Sequence, residues 1–482
     1  MTPRGPVLLA IDLGTTQIKV GFVTPAGVLL GVSRSRYPID VDAGAGRAEQ
    51  DPEQWWLGLR RGVRELMAMT ADRAGEVLGI AVAGHGPTLT VVDEAGRPVR
   101  PAVTWLDTRA ADEARTLENA TGLVGWGLGV LPAALWLERH EPESVAQARW
   151  YLNSWDALTL RLSGRAASSI LPDQAVPSAD TFASTGLHAE RVAPPVPVAT
   201  AVGGLLPAIA GELGLAAGIP VVAGMADSLA TFHGARMMAK GDAIDVGGSA
   251  GGFGIYWDRR VDAAGSFSSP APFPGLWSVG GAMAATGSAL DWLRNDVLGG
   301  ASSAETLIQE AAAVPAGADG LVFLPYLAGE RSPLWDPSAR GAFVGLTLRH
   351  GRAYLARAVL EAAALAIRHV AASILEAGVS VTAMRVCGGP AHSETWNQIK
   401  ADVTGFPVEV PRVLETGLIG AAIVAAVGVG VQPDLPTAIR AMTAIDHRRE
   451  PDPERHVLYD RVYEAYVGLH PAIAPVLRAT LS

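Results

Sequence analysis

The feature that most constrains this chain is a short pattern that occurs twice. Ala10-Ile11-Asp12-Leu13-Gly14-Thr15-Thr16 is echoed by Ala243-Ile244-Asp245-Val246-Gly247-Gly248-Ser249. Both read Ala-Ile-Asp-aliphatic-Gly and then small and hydroxyl residues. In the first copy the apolar run from Leu8 reads as a buried strand. It turns on Gly14, which reaches backbone angles closed to other residues, and resumes as Ile18-Lys19-Val20-Gly21-Phe22-Val23. Alone, such a hairpin is equally well a phosphate-binding turn with an acid behind it or a tight hairpin with an incidental acid. The second copy, followed by the strand-like Gly252-Phe253-Gly254-Ile255-Tyr256-Trp257, shifts the balance. It predicts two similar domains facing each other across a nucleotide.

Length and charge agree with that plan. A chain of 482 residues is too long for one ordinary core. A formal net charge of −10 argues against nonspecific nucleic-acid binding and against an anionic membrane surface. The single cysteine, Cys387, excludes an intrachain disulfide and a CxxC metal site and reads as a core residue. Asp12 interrupts the first apolar run too early for a leader, and no uninterrupted apolar run approaches bilayer length. A cytoplasmic enzyme is the expected class.

Along the chain, residues 27–37 read as another strand pair. Asp51-Pro52 opens a helix with an N-cap and a proline at its first position. Trp55, Trp56, Leu59, Val63 and Leu66 then recur at helical spacing, which predicts a core face. Val77-Leu78-Gly79-Ile80-Ala81-Val82-Ala83 is a buried strand ending in Gly84-His85-Gly86-Pro87. Residues 218–224 form another strand, with Met225-Ala226-Asp227-Ser228 at the corner into a helix. Ligands sit at the carboxyl ends of such strands, so Asp227 is either a helix cap or a carboxylate near the ligand edge. In the second half, residues 352–377 predict a long Ala-rich helix buried along Leu355, Val359, Ala363 and Ile367. Met384-Arg385-Val386-Cys387 is a strand ending in Gly388-Gly389-Pro390, and Ser393 caps the following helix. Gly247-Gly248-Ser249-Ala250-Gly251 also fits the G-x-S-x-G pattern of serine hydrolases, but that elbow must open a helix and the next residues read as strand. Gly125-Trp126-Gly127-Leu128-Gly129 lacks the spacing and the preceding strand of a dinucleotide site.

Three stretches in order carry a family resemblance: Trp105-Leu106-Asp107-Thr108-Arg109; the run Gly329-Glu330-Arg331-Ser332-Pro333-Leu334-Trp335-Asp336-Pro337 through Arg340-Gly341; and Gly388-Gly389-Pro390-Ala391-His392-Ser393 with Trp396-Asn397-Gln398. Through them the chain resembles the FGGY carbohydrate kinases of the actin-like ATPase superfamily, over about residues 8 to 430. The resemblance implies an α/β fold of two ribonuclease-H-like domains, residues 1–238 and 239–482, with a ligand cleft between them. It implies ATP and Mg2+, with Asp12 organising the metal. Gly14, Thr15 and Thr16 would form the first phosphate turn, and Gly248 and Ser249 the second. Gly388, Gly389, Pro390 and Asn397 would form the adenosine segment, and Asp227 would be the catalytic base and touch the substrate. The acceptor would be a small sugar or polyol, with a homodimer an open expectation. The xylulose-kinase branch carries Gly-Gln-Met-His-Gly where this chain has Gly84-His85-Gly86-Pro87, and the Arg-Glu pair of glycerol kinases is absent. His85, Gly86, Pro87 and Trp105 are the expected sugar contacts. A ketopentose such as xylulose is the nearest acceptor. Ribulose-, gluconate- or erythritol-type kinases and a non-catalytic actin-like ATP sensor are the alternatives. Asp107 and Arg109 read as a structural ion pair, and Glu330, Arg331, Asp336 and Arg340 as pins for their loop.

Overall fold

A computed structural model describes residues 5–70 and 73–481. The chain divides into two compact units. The first runs to Arg236 and takes in Glu415–Thr443; the second comprises Met237–Leu414 and the chain from Ala444 onward.

The first unit is built on a sheet of β1 (Val7–Leu13), β2 (Gln17–Val23), β3 (Leu29–Arg36), β4 (Val77–Gly84), β5 (Ala201–Gly204) and β6 (Pro220–Ala226), in the order β5-β6-β4-β1-β2-β3. Strands β1, β2 and β3 form an antiparallel meander, while β4 runs parallel to β1 and β6 parallel to β4. Every residue of β1 is buried, as expected of a parallel strand covered on both faces. Residues 27–37 supply one strand, β3, rather than a pair; residues 24–28 close the turn before it, with Gly27 N donating to Thr24 O.

Helix α1 (Pro52–Met69) starts as its sequence demands, with the Asp51 carboxylate accepting from Glu53 N and Pro52 in the first turn. Trp55, Trp56, Leu59, Val63 and Leu66 all enter the core. Helix α2 (Ser154–Ser163) packs on β4 and β6, and α3 (Asp227–Gly234) leaves the end of β6.

The second unit repeats the topology. Its strands are β7 (Asp242–Val246), β8 (Gly251–Trp257), β9 (Phe267–Pro270), β10 (Trp277–Met283), β11 (Ala383–Cys387), β12 (Val408–Pro411) and β13 (Ile445–Arg449), in the order β9-β10-β8-β7-β11-β12-β13. The meander β7, β8, β10 and the parallel strands β11 and β12 correspond to β1, β2, β3, β4 and β6. Helix α4 (Gly287–Trp292) packs against α5 (Arg352–Glu376), and α5 and α6 (Glu394–Thr404) pack on the sheet. Among the described residues α5 alone has the length and apolarity to cross a membrane, and 72% of that apolar window is buried inside the protein. It is a core helix.

A single boundary after residue 238 does not describe this chain. Beyond β12 the chain returns to the first unit as α7 (Thr416–Gly428), before α8 (Pro453–Leu481) closes the second. Helix α7 is buried from Thr416 to Ala426 on every face, so it needs apolar cover all round. It finds that cover on α3, β1 and β4.

Candidate functional site

In the first unit the turn between β1 and β2 is held from behind. Tyr37 Oη donates to Gly14 O, the Gln50 side-chain amide to Thr15 O at 2.5 Å, and Tyr37 N to Thr16 O at 3.2 Å. A trans peptide points its C=O and N–H in opposite directions. Engaging the carbonyls of Gly14 and Thr15 therefore turns the N–H groups of Thr15 and Thr16 the other way. Two neighbouring donors so aimed are what an anion needs. Thr16 is exposed and Gly14 and Thr15 half-buried.

Asp12 lies just behind this turn, 8% exposed. Across the hairpin it faces Lys19, whose Nζ is 3.5 Å from Asp12 Oδ2 and 2.9 Å from Glu415 Oε2. The first turn of α7 abuts the carboxylate: a Cβ on Gly417 would fall 2.6 Å from Asp12 Oδ2. Burial raises the Asp12 pKa, and Lys19 only partly opposes it. Asp227 opens α3. Its carboxylate accepts from the neighbouring Ser228 N, at 2.7 Å, and Ala226 is the N-cap, so Asp227 is not a capping side chain. The residue keeps part of its surface open, yet protein crowds its carboxyl. That desolvation, with the nearby charge of Asp12, raises its pKa to about 7.

Trp105 is half-buried, donates from Nε1 to Thr15 Oγ1 at 3.0 Å, and lies 6.4 Å from the ring of Trp126, which is 47% exposed. His85 is placed differently from its expectation. It is 1% exposed, set edge-on to Trp55 at 5.3 Å, with Nδ1 against Thr88 Oγ1 at 3.0 Å. Burial lowers its pKa to about 3, so the ring is neutral. A sugar contact would require the imidazole to leave Trp55. Gly86 is buried too, and of this turn only Pro87 is half-exposed. Asp107 and Arg109 belong to a structural network, as expected. Asp107 accepts from Ala48 N, and Arg109 joins Asp107 to the buried Glu49, which also pairs with Arg100.

In the second unit the β7–β8 turn exposes Gly248 and Ser249. The start of α4 clamps it: Gly287 N donates to Gly248 O, and Ser288 N and Oγ both donate to Ser249 O. Strand β8, not a helix, starts two residues after Ser249, so the hydrolase elbow is excluded. A fluorophosphonate probe should leave Ser249 unlabelled, as read by intact mass. The turn after β11 lies alongside. Gly388 has φ +73, and a Cβ there would sit 1.9 Å from Gly247 O, so only glycine lets these two turns touch. Gly389 is exposed and Pro390 half-buried. Asn397 is fully buried behind them, its Nδ2 donating to Ala391 O at 2.9 Å. It fixes the turn rather than lining its surface.

The echo of Asp12 is electrically different. Asp245 is 2% exposed and faces Lys400 on α6, also 2% exposed, at 2.5 Å. Glu330 is buried at the base of a loop, accepting from Ala284 N and Arg331 N, with Arg331 donating to Met283 O; Asp336 closes the loop through paired backbone bonds to Glu330.

Sequence reasoning passed over Gln50, Tyr37, Lys19, Trp126, Lys400 and Glu415. Glu415 was within reach. It follows β12 as Asp227 follows β6, so carrying the duplication one strand further finds it.

Comparison with known proteins bears on all of this. Residues 7–234 match the N-terminal domain, and residues 253–429 the C-terminal domain, of the FGGY family of carbohydrate kinases. The chain is 31% identical to a xylulose kinase of Staphylococcus epidermidis over 96% of each chain. It is 30% identical to the xylulose kinase of Escherichia coli over 97% of this chain and 99% of the other. The crystal structure of xylulose kinase from Rhodospirillum rubrum superposes with a TM-score of 0.80 at 30% identity, covering 98% of this chain and 100% of that one. The repeated sheets, the paired glycine turns and matches spanning both halves have one explanation: this chain belongs to the FGGY family of carbohydrate kinases and has their two-domain actin-like ATPase fold.

Proposed function

We propose that the protein transfers the terminal phosphoryl group of ATP to a hydroxyl of a small sugar or polyol, with xylulose the nearest acceptor. The observation that carries this reading is Asp227. Its carboxyl sits at the carboxyl end of β6 with a pKa raised to about 7, the range a general base needs. Asp227 accepts the proton of the attacking hydroxyl, while the Trp105 and Trp126 rings supply an apolar wall for the carbon face of the acceptor. Phosphoryl transfer depends mainly on positioning and charge neutralisation, which the outward N–H groups of Thr15 and Thr16 provide on one side. Gly248 and Ser249 offer a second phosphate turn, and Gly388, Gly389 and Pro390 the contact for adenosine, with Asn397 bracing them.

The residues fit a magnesium ion of restricted coordination. No group of three or more His, Cys, Asp or Glu side chains converges among the described residues, so a fully protein-bound cation is not supported. A single desolvated carboxylate, Asp12, is what a mostly hydrated, phosphate-bound Mg2+ requires. Bound magnesium would neutralise charge on the ATP phosphates, and Asp12 would hold it through water.

The test is ADP release measured with a panel of xylulose, ribulose, gluconate, erythritol and glycerol. The expected result is xylulose-dependent release well above the acceptor-free rate. Equal release with every acceptor and without any would favour the sensor reading instead.

A further inference from the structure

Thr15 is gripped from two distant parts of the sequence at once. Trp105 Nε1 donates to its hydroxyl at 3.0 Å, across 90 residues, and the Gln50 amide donates to its carbonyl at 2.5 Å, across 35. Gln50 is 2% exposed and its own carbonyl oxygen accepts from Trp55 Nε1 at 3.3 Å. Trp55 in turn braces the ring of His85 in the turn after β4. Thr15 therefore joins the first phosphate turn directly to the Trp105 wall proposed for the acceptor and, through Gln50 and Trp55, to the buried His85 after β4. Its backbone cannot shift without stretching the bond to Gln50, and its side chain cannot rotate without releasing Trp105.

We propose that Thr15 is a positioning residue that couples acceptor binding to nucleotide binding. This rests on the kinase reading above. An acceptor seated against Trp105 restrains the indole, the indole holds the Thr15 hydroxyl, and the N–H groups of Thr15 and Thr16 are then fixed before the phosphates arrive. When two ligands share one ordered element, the factor by which one changes the affinity of the other is returned equally, and an element ordered by the first ligand favours the second. Trp105 thus does more than pack against a substrate, and the Thr15 hydroxyl does more than bind a phosphate.

The experiment measures the dissociation constant of a non-hydrolysable ATP analogue, adenylyl imidodiphosphate, by calorimetry on the full chain with magnesium, with and without xylulose. Steady-state ADP release is measured in parallel. In the wild type, xylulose is expected to tighten analogue binding about tenfold, within the usual range for coupled sites. Thr15→Val keeps the branched shape but not the acceptor oxygen, and Trp105→Phe keeps a ring but not the donor. Each should bring the ratio near one, and the double variant should lose no more than either alone. Thr15→Ser restores the hydroxyl and should restore the ratio. Ratios in Thr15→Val and Trp105→Phe equal to the wild type, with xylulose turnover intact, would overturn the coupling and leave the kinase reading standing. A wild-type protein in which none of the five panel acceptors releases ADP or alters analogue binding would overturn both.

Discussion

Asp227→Asn is expected to lower sugar-dependent ADP release by about 10²–10⁴-fold, the range for removing a general base, while analogue binding stays near the wild-type level. The amide keeps the shape and the bond from Ser228 N but cannot accept the acceptor's proton. The pH profile gives a second readout. With the carboxyl titrating at about 7, the wild-type kcat/KM should fall as pH drops below about 7, and the residual rate of the variant should not share that limb. Stability should move the opposite way. Folding raises this pKa above its unfolded value of 3.8, so the folded state holds the extra proton between about 4 and 7. The contribution of Asp227 to stability therefore declines as pH rises through that window. Asp227→Asn should melt higher than the wild type at pH 8, with the gain shrinking towards pH 4. Near-normal turnover in Asp227→Asn would remove Asp227 from the chemistry.

This pairing of cost and use shows what a sequence can and cannot disclose. The duplicated hairpin was legible because strand periodicity, a turn glycine and a fixed acid lie within nine residues, and their repetition is visible without any fold. The glycines at 388 and 389 were legible for the same reason. The identity of the helix that covers β1 was not. Helix α7 is apolar on all sides, and such a segment carries no directional pattern to say which sheet it covers. The inward packing of His85 was not legible, because turn position signals proximity to a ligand edge but not side-chain direction. Packing against Trp55, thirty residues away, decides that direction. The difference between Asp12 and Asp245 was equally hidden. Both stand in the same local sequence, yet one shares an accessible lysine with Glu415 while the other meets a lysine from a helix more than 150 residues on.

That hidden lysine carries the largest expected effect on stability. Asp245 Oδ2 and Lys400 Nζ are both buried, and neither atom has a further hydrogen-bond partner among the described residues. Each is the other's ion-pair partner, and the Trp396 ring, 5.4 Å from Lys400 Nζ, adds a weaker cation–π contact on the lysine side. Lys400→Met removes the cation but leaves the side chain's length and an uncompensated carboxylate in the core of the second unit. Breaking a buried pair in this way costs about 3–5 kcal/mol, which corresponds to a fall in the melting transition on the order of 10 °C for a unit of this size. Asp245→Leu should be similarly damaging, since it strands Lys400. The double variant Lys400→Met with Asp245→Leu removes both charges and should recover most of the loss, because a well-packed apolar pair can equal a buried ion pair. Thermal unfolding of the three variants followed by calorimetry gives the coupling energy directly. Independent, additive losses would show that the pair is not the source of the effect. Recovery in the double variant would also separate the two hairpins chemically. The second would then hold its turn without any charge from its acid, whereas in the first Asp12 keeps a carboxylate that shares the more accessible Lys19 with Glu415.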